Sequence, residues 1–98
     1  MISSWYLYVL ECADGSFYTG ITTNLERRVK THNSGKASKY TRSRLPVCLR
    51  SQISVGIDRG RALSLEYSFK KLKRKEKENY VDLGLSYFLD KMSFDVNP

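Results

Sequence analysis

The chain has 98 residues but only two cysteines and a single histidine. Cys12 and Cys48 stand far apart and form no CxxC pair, and one histidine cannot complete a tetrahedral ligand set with them. That excludes a zinc site built from protein ligands alone and argues against a disulfide-stapled scaffold. Both thiols read as small buried hydrophobes. No apolar run approaches the roughly 18 residues of a membrane span, and Met1-Ile2-Ser3-Ser4-Trp5 lacks the basic flank and apolar core of a secretory signal. The expectation is a cytoplasmic protein without a membrane partner. There is no internal repeat, and no low-complexity linker marks a second domain.

Hydrophobic residues at 41% and aromatics at 12% are enough to build a core. At this length there is room for one core only. The reading is a domain over residues 1–78, with a helical tail over 79–98 packed on that same domain.

The first 26 residues hold no lysine or arginine and contribute −3, and the tail from Glu78 onward contributes another −3. Between them, residues 27–57 contribute +8 with no acid at all, and residues 58–77 contribute +5, so the segment Arg27–Lys77 carries +13 of a chain whose net charge is +7. A polyanion is the natural partner of such a segment, through phosphate contacts and counterion release. The stretch Arg27–Arg50, interleaved with Tyr40, Thr41 and Ser43, is the better phosphate-binding candidate; the run Lys70–Lys77 is equally well a solvated basic face.

Local signals give a coarse order. Trp5–Cys12 reads as a strand, Ala13-Asp14-Gly15-Ser16 as a turn, and Phe17–Thr22 as the strand's hairpin partner. Asn24 caps a helix from Leu25 to about Asn33, closed by Ser34-Gly35. Lys36–Arg44 is polar and reads as an irregular loop. A strand from about Val47 to Val55 follows Pro46. Asp58 caps a helix over Arg59–Lys75 with Ala62, Leu65, Phe69 and Leu72 as its buried stripe, and Tyr80–Met92 is helical with an interruption at Gly84. The class is α+β: a three-stranded antiparallel sheet flanked by helices, β-β-α-β-α plus a helical tail.

Two places carry chemistry-bearing side chains. In the first helix Leu25, Arg28, Val29 and His32 fall on one stripe, so an apolar face ends in an arginine and a histidine. In the hairpin, the faces of Tyr8 and Tyr18 depend on the turn. A two-residue Asp14-Gly15 turn pairs Tyr8 with Ile21 and separates the tyrosines. A three-residue Ala13-Asp14-Gly15 loop, with Gly15 left-handed, pairs Tyr8 with Gly20 and Leu10 with Tyr18 and puts both on one face. Propensity alone does not choose.

Tyr6-Leu7-Tyr8, Tyr18-Thr19-Gly20, Arg28, His32 and the later helical Glu66 together resemble the GIY-YIG nuclease domain, in its small stand-alone bacterial branch. The likeness runs from about Ser4 to Lys77. It includes Trp5–Ser16, Tyr18–Arg28, His32-Asn33-Ser34-Gly35-Lys36, Lys39-Tyr40-Thr41-Arg42 and Leu45-Pro46-Val47, with Glu66 placed by Glu66-Tyr67-Ser68-Phe69-Lys70-Lys71-Leu72. Three positions depart from the family pattern. The first half reads Tyr-Leu-Tyr rather than Gly-Ile-Tyr. Ile21 stands where some members carry a lysine. For the late asparagine of many members the tail offers only Asn79 or Asn97.

The resemblance implies an endonuclease that hydrolyses DNA phosphodiester bonds with one magnesium or manganese ion. Tyr18 would align or deprotonate the attacking water, and Arg28 would stabilise charge on the scissile phosphate. Glu66 would hold the metal, Tyr8 would line the site, and His32 would serve as proton acceptor or phosphate contact. Gly20 would permit close backbone approach. Lys36, Lys39, Tyr40 and Arg42, expected in a mobile loop, with Arg44 and Lys70 would grip the DNA backbone. The set is chemically coherent: hydrolysis needs a positioned water and cations on the phosphate oxygens, and a tyrosine of pKa about 10 works as a base only with cationic help. Arg28, one turn from His32, should keep the imidazole neutral. A domain this small has little surface for reading bases, so the expected cutting is structure-selective or non-specific, on branched or damaged DNA, in repair or recombination. The rival readings are a nucleic-acid-binding module that keeps the fold with little or no cleavage, and a subunit of a larger nuclease complex docked through the tail. Sequence does not decide between monomer and weak dimer.

Overall fold

The computed structural model describes residues 3–96. Three strands, β1 (Trp5–Glu11), β2 (Phe17–Thr22) and β3 (Cys48–Gly56), form an antiparallel sheet in the order β2-β1-β3. Five helices accompany it among the described residues: α1 (Leu25–Asn33), α2 (Lys39–Arg42), α3 (Arg59–Lys70), α4 (Arg74–Leu83) and α5 (Leu85–Val96).

The hairpin adopts the three-residue loop. The Cys12 amide donates to the Ser16 carbonyl, the Gly15 amide returns to Cys12, and Gly15 takes φ of 84°, a left-handed conformation that glycine reaches without strain. The resulting register sets Tyr8 opposite Gly20 and Leu10 opposite Tyr18. Alternation along β1 then sends Leu7 and Val9 to one face and Tyr8 and Leu10 to the other.

Both faces are covered. Leu7 and Val9 join Val55, Ala62, Leu65 and Phe69 and, from the C-terminal helices, Val81, Leu85 and Phe88. On the opposite face Tyr8, Leu10, Cys12 and Val47 pack against Tyr18, Leu25, Val29 and Leu45. β1 is thus buried on both sides, while β2 and β3 form the edges.

Three expectations change. Lys36–Arg44 is not wholly irregular: Ser38 caps the turn α2 by accepting the Thr41 amide, and Thr41 is buried. The helix begun at Arg59 stops at Lys70 rather than Lys75. The chain restarts at Arg74, where the Lys73 amide donates to Glu76 and the Arg74 guanidinium lies over the Phe17 ring and donates to the Gly15 carbonyl. Docking onto the hairpin therefore overrides helix propensity at this point. α4 runs unbroken across positions 78 and 79, and Gly84, with φ of 120°, divides it from α5. Cys12 is buried as expected, but Cys48 is exposed because it starts an edge strand.

The tail packs on the rest of the chain: Val81, Leu85 and Phe88 belong to the core, Tyr80 packs against them, and Leu83 and Tyr87 face outward. No helix among the described residues is long and apolar enough to cross a membrane.

Candidate active site

The site forms where α1 and α2 cover the Tyr8–Leu10 face beside the β2 edge. Leu25 and Val29 fasten α1 to the sheet. Asn33, at the end of the helix, clamps the chain ahead of β3, donating to the Val47 carbonyl and accepting the Val47 amide at 3.0 and 2.8 Å. Anchored at both ends, α1 presses His32 onto the sheet, where it is 1% exposed.

The imidazole is held by side chains at both nitrogens. Tyr8 Oη lies 3.0 Å from Nε2, and Thr41 Oγ1 lies 2.8 Å from Nδ1. Tyr18 meets the ring edge-on at 5.0 Å between centroids, and Tyr40 stacks on the outer side of Tyr18 at 6.2 Å. Depth separates the two hairpin tyrosines: Tyr8 is 2% exposed, whereas Tyr18 is half-buried and lines an open groove of about 280 Å3 with Phe17, Thr19, Tyr40, Lys70 and Lys77.

Glu66 arrives from α3, which packs against β2 and β1. Its carboxylate pairs with the Lys70 ammonium at 3.5 Å, and that ammonium lies 5.7 Å from the centroid of the Tyr18 ring. Arg28 is exposed on α1 and pairs with no carboxylate among the described residues.

Electrostatics links these side chains from four elements. Burial pushes the Tyr8 phenol well above its ordinary value; Tyr18 and Glu66 add to the rise and Arg28 opposes it. The Tyr8 hydroxyl therefore stays protonated at neutral pH. The His32 pKa is lowered, first by burial and then by Arg28, so the imidazole is neutral. Lys77 is also lowered, by burial and by the neighbouring Arg74 and Lys70.

Several expected roles are thus redistributed. Tyr8 and His32 lie behind the surface, so His32 has no direct path to a phosphate. At Gly20 a Cβ would fall 2.5 Å from Tyr8 Oη, so the missing side chain leaves room for the buried phenol. Arg44 is committed to the fold: it pairs with Asp14 at 3.0 Å, donates to the Tyr40 carbonyl and lies over the Tyr40 ring at 3.9 Å. Lys36, Lys39 and Arg42 are exposed and pair with no acid among the described residues. Asn79 is exposed on α4, and Asn97 lies outside the described residues.

Two contributors were missed from sequence. Thr41 carries no signal beyond its place in a polar stretch. Lys77 was hidden in a run that reads equally well as solvated.

Among the described residues no three of histidine, cysteine, aspartate and glutamate gather into a metal cage. Glu66 is one carboxylate, paired with the Lys70 ammonium. Such a donor fits a hard ion that keeps several waters and takes its remaining oxygens from a bound phosphate, as magnesium does.

The sequence family described as "GIY-YIG catalytic domain" matches residues 4–79. A UPF0213 protein of Bacillus cereus is 50% identical over 84 residues, 86% of each chain, and one of Streptococcus pneumoniae is 48% identical over 88 residues, 85% of this chain and 88% of that one. Among solved structures, a UPF0213 protein of Bacillus halodurans is similar with a TM-score of 0.53 at 46% identity, covering 82% of this chain and 84% of that one. A protein of Enterococcus faecalis is similar with a TM-score of 0.55 at 48% identity and the same coverages.

Proposed function

Because the chain belongs to the GIY-YIG catalytic-domain family, whose domain is a nuclease, we propose that it is a cytoplasmic, metal-dependent endonuclease. It hydrolyses DNA phosphodiester bonds, structure-selectively or without sequence preference, in repair or recombination. The observation that carries this reading is the chain of contacts at the groove: Glu66 pairs with Lys70, whose ammonium lies over the Tyr18 ring, and Tyr18 in turn packs edge-on against the buried His32 that Tyr8 holds.

The chain's own groups divide the work. Lys39, Arg42, Lys70 and Lys77 take the backbone phosphates, with Lys36 beside them, and Tyr40 flanks the entry over Tyr18. Arg28, unpaired and exposed, neutralises charge on the scissile phosphate. Tyr18 holds the attacking water at the groove wall. Behind it, Tyr8 keeps its proton and His32 stays neutral, so the pair forms a fixed, uncharged wall against which the Tyr18 ring packs. Glu66 would hold a magnesium or manganese ion, which when bound polarises the phosphate and lowers the pKa of water. Lys70 would exchange Glu66 for a phosphate oxygen as DNA enters.

Purified protein incubated with branched, nicked and linear DNA should cut with magnesium and not with chelator, and Tyr18→Phe should cut at least about tenfold more slowly. Wild-type protein that binds DNA but cuts none of the three with magnesium would overturn the reading.

A further inference from the structure

The imidazole of His32 is neutral and has partners at both nitrogens, so it must take one of two tautomers. These differ in how many buried polar groups they satisfy. With the proton on Nδ1, His32 donates to Thr41 Oγ1 at 2.8 Å, the Thr41 hydroxyl donates on to the Ser38 carbonyl at 3.4 Å, and the Tyr8 hydroxyl donates to the bare Nε2 at 3.0 Å. All three protons have acceptors. With the proton on Nε2 the chain reverses. Thr41 then donates to Nδ1 and Nε2 donates to Tyr8, and the buried phenol proton has no acceptor among the described residues. A buried polar group left without a hydrogen bond is strongly disfavoured, and this fixes the direction.

We infer that Thr41 is a positioning residue of the reaction: it holds His32 as the Nδ1–H tautomer, which presents a bare Nε2 to accept the Tyr8 hydroxyl and so fixes the ring that Tyr18 packs against. The inference rests on the nuclease reading only for its consequence in catalysis; the tautomer itself is a property of the free protein. Thr41 is fully buried, and its backbone amide also bonds the Ser38 side chain, so two contacts to Ser38 orient its hydroxyl. The turn α2 therefore has two sides. Lys39, Tyr40 and Arg42 face outward, while Thr41 alone reaches the histidine. The titratable and charged groups that also face the ring are Tyr8 from β1, Tyr18 from β2 and Arg28 from α1, and among the described residues none of them hydrogen-bonds Nδ1 in place of Thr41.

The chain holds one histidine, so nitrogen NMR of 15N-histidine-labelled protein reports this ring alone. At pH 7.5 the wild-type spectrum should show a proton-bearing Nδ1 and a bare Nε2, the latter far downfield. Thr41→Ser should keep that pattern. Thr41→Val, which removes the acceptor, should move the proton wholly or partly to Nε2. On DNA with magnesium, Thr41→Val should lower kcat about tenfold or more at unchanged KM, and Thr41→Ser should restore it, as expected when a histidine is left in the wrong tautomer. A wild-type ring protonated on Nε2 overturns the inference, and so does a Thr41→Val spectrum identical to wild type. If Thr41→Val does not fold, the wild-type and Thr41→Ser spectra still decide the tautomer. Absence of cleavage by every form alongside the expected spectra would instead count against the nuclease reading.

Discussion

Tyr8 and His32, 24 residues apart in sequence, meet through one hydrogen bond of 3.0 Å in the interior, and each is almost wholly buried. A protonated imidazole at this position would face burial and the nearby Arg28 guanidinium together. The folded-state pKa of His32 therefore lies below the unfolded value of 6.5. As pH falls through that value the unfolded chain binds a proton first, so stability is fully present above about 6.5 and declines as pH drops toward the folded-state value. The urea midpoint should fall between pH 7.5 and 5.5, a window above the carboxylate range. His32→Gln should have a lower midpoint with a flatter pH dependence. Equal slopes for the two proteins would contradict this assignment of the charge.

Gly20 tests the same contact from the other strand. Its φ is not left-handed, so the constraint there is space: a Cβ would meet Tyr8 Oη at 2.5 Å and Cζ at 2.6 Å. Gly20→Ala should destabilise by about 1–3 kcal/mol, the usual range for overpacking, and should disturb the His32 imidazole resonances. Gly15→Ala, whose Cβ meets nothing, should be strained only by its backbone and leave those resonances in place. Thermal melts and the histidine spectrum of both variants check this.

The basic residues around α2 should separate into two groups. Arg44→Ala breaks a half-exposed ion pair and the tie to the Tyr40 carbonyl, so it should lower the melting temperature by a few degrees. Lys39→Ala and Arg42→Ala should leave stability alone and each reduce the slope of log affinity against log salt by about one phosphate contact. DNA affinities across a salt series, in chelator, make the comparison. A larger loss of slope for Arg44→Ala than for Arg42→Ala would reverse the division.

Local chemistry in the sequence accounts for much of this architecture. Asn24 and Asp58 cap α1 and α3, and the stripe Ala62, Leu65 and Phe69 packs as its spacing predicts, while Leu72 packs against the same core from beyond the helix end. The hairpin register stayed open because Asp14-Gly15 suits two turn lengths, and only the covered Tyr8 face selects one of them. The stop at Lys70 was illegible for a different reason: Lys-rich sequence is good helix former, and the break follows from Arg74 reaching the Phe17 ring and the Gly15 carbonyl. At the site, the residues could be nominated but not their depths. Nothing local distinguishes Tyr8, which is sealed in, from Tyr18, which meets the groove, because the difference is made by α1 and Thr41 arriving from elsewhere in the chain.

Glu66 is proposed to serve a metal ion at a site that cleaves DNA. With magnesium and branched DNA, wild-type protein should generate cut products, and Glu66→Gln should be slower by about 100-fold or more while binding the same DNA equally well in chelator. Cleavage by Glu66→Gln at the wild-type rate, with magnesium present and binding unchanged, would mean that Glu66 holds no catalytic metal.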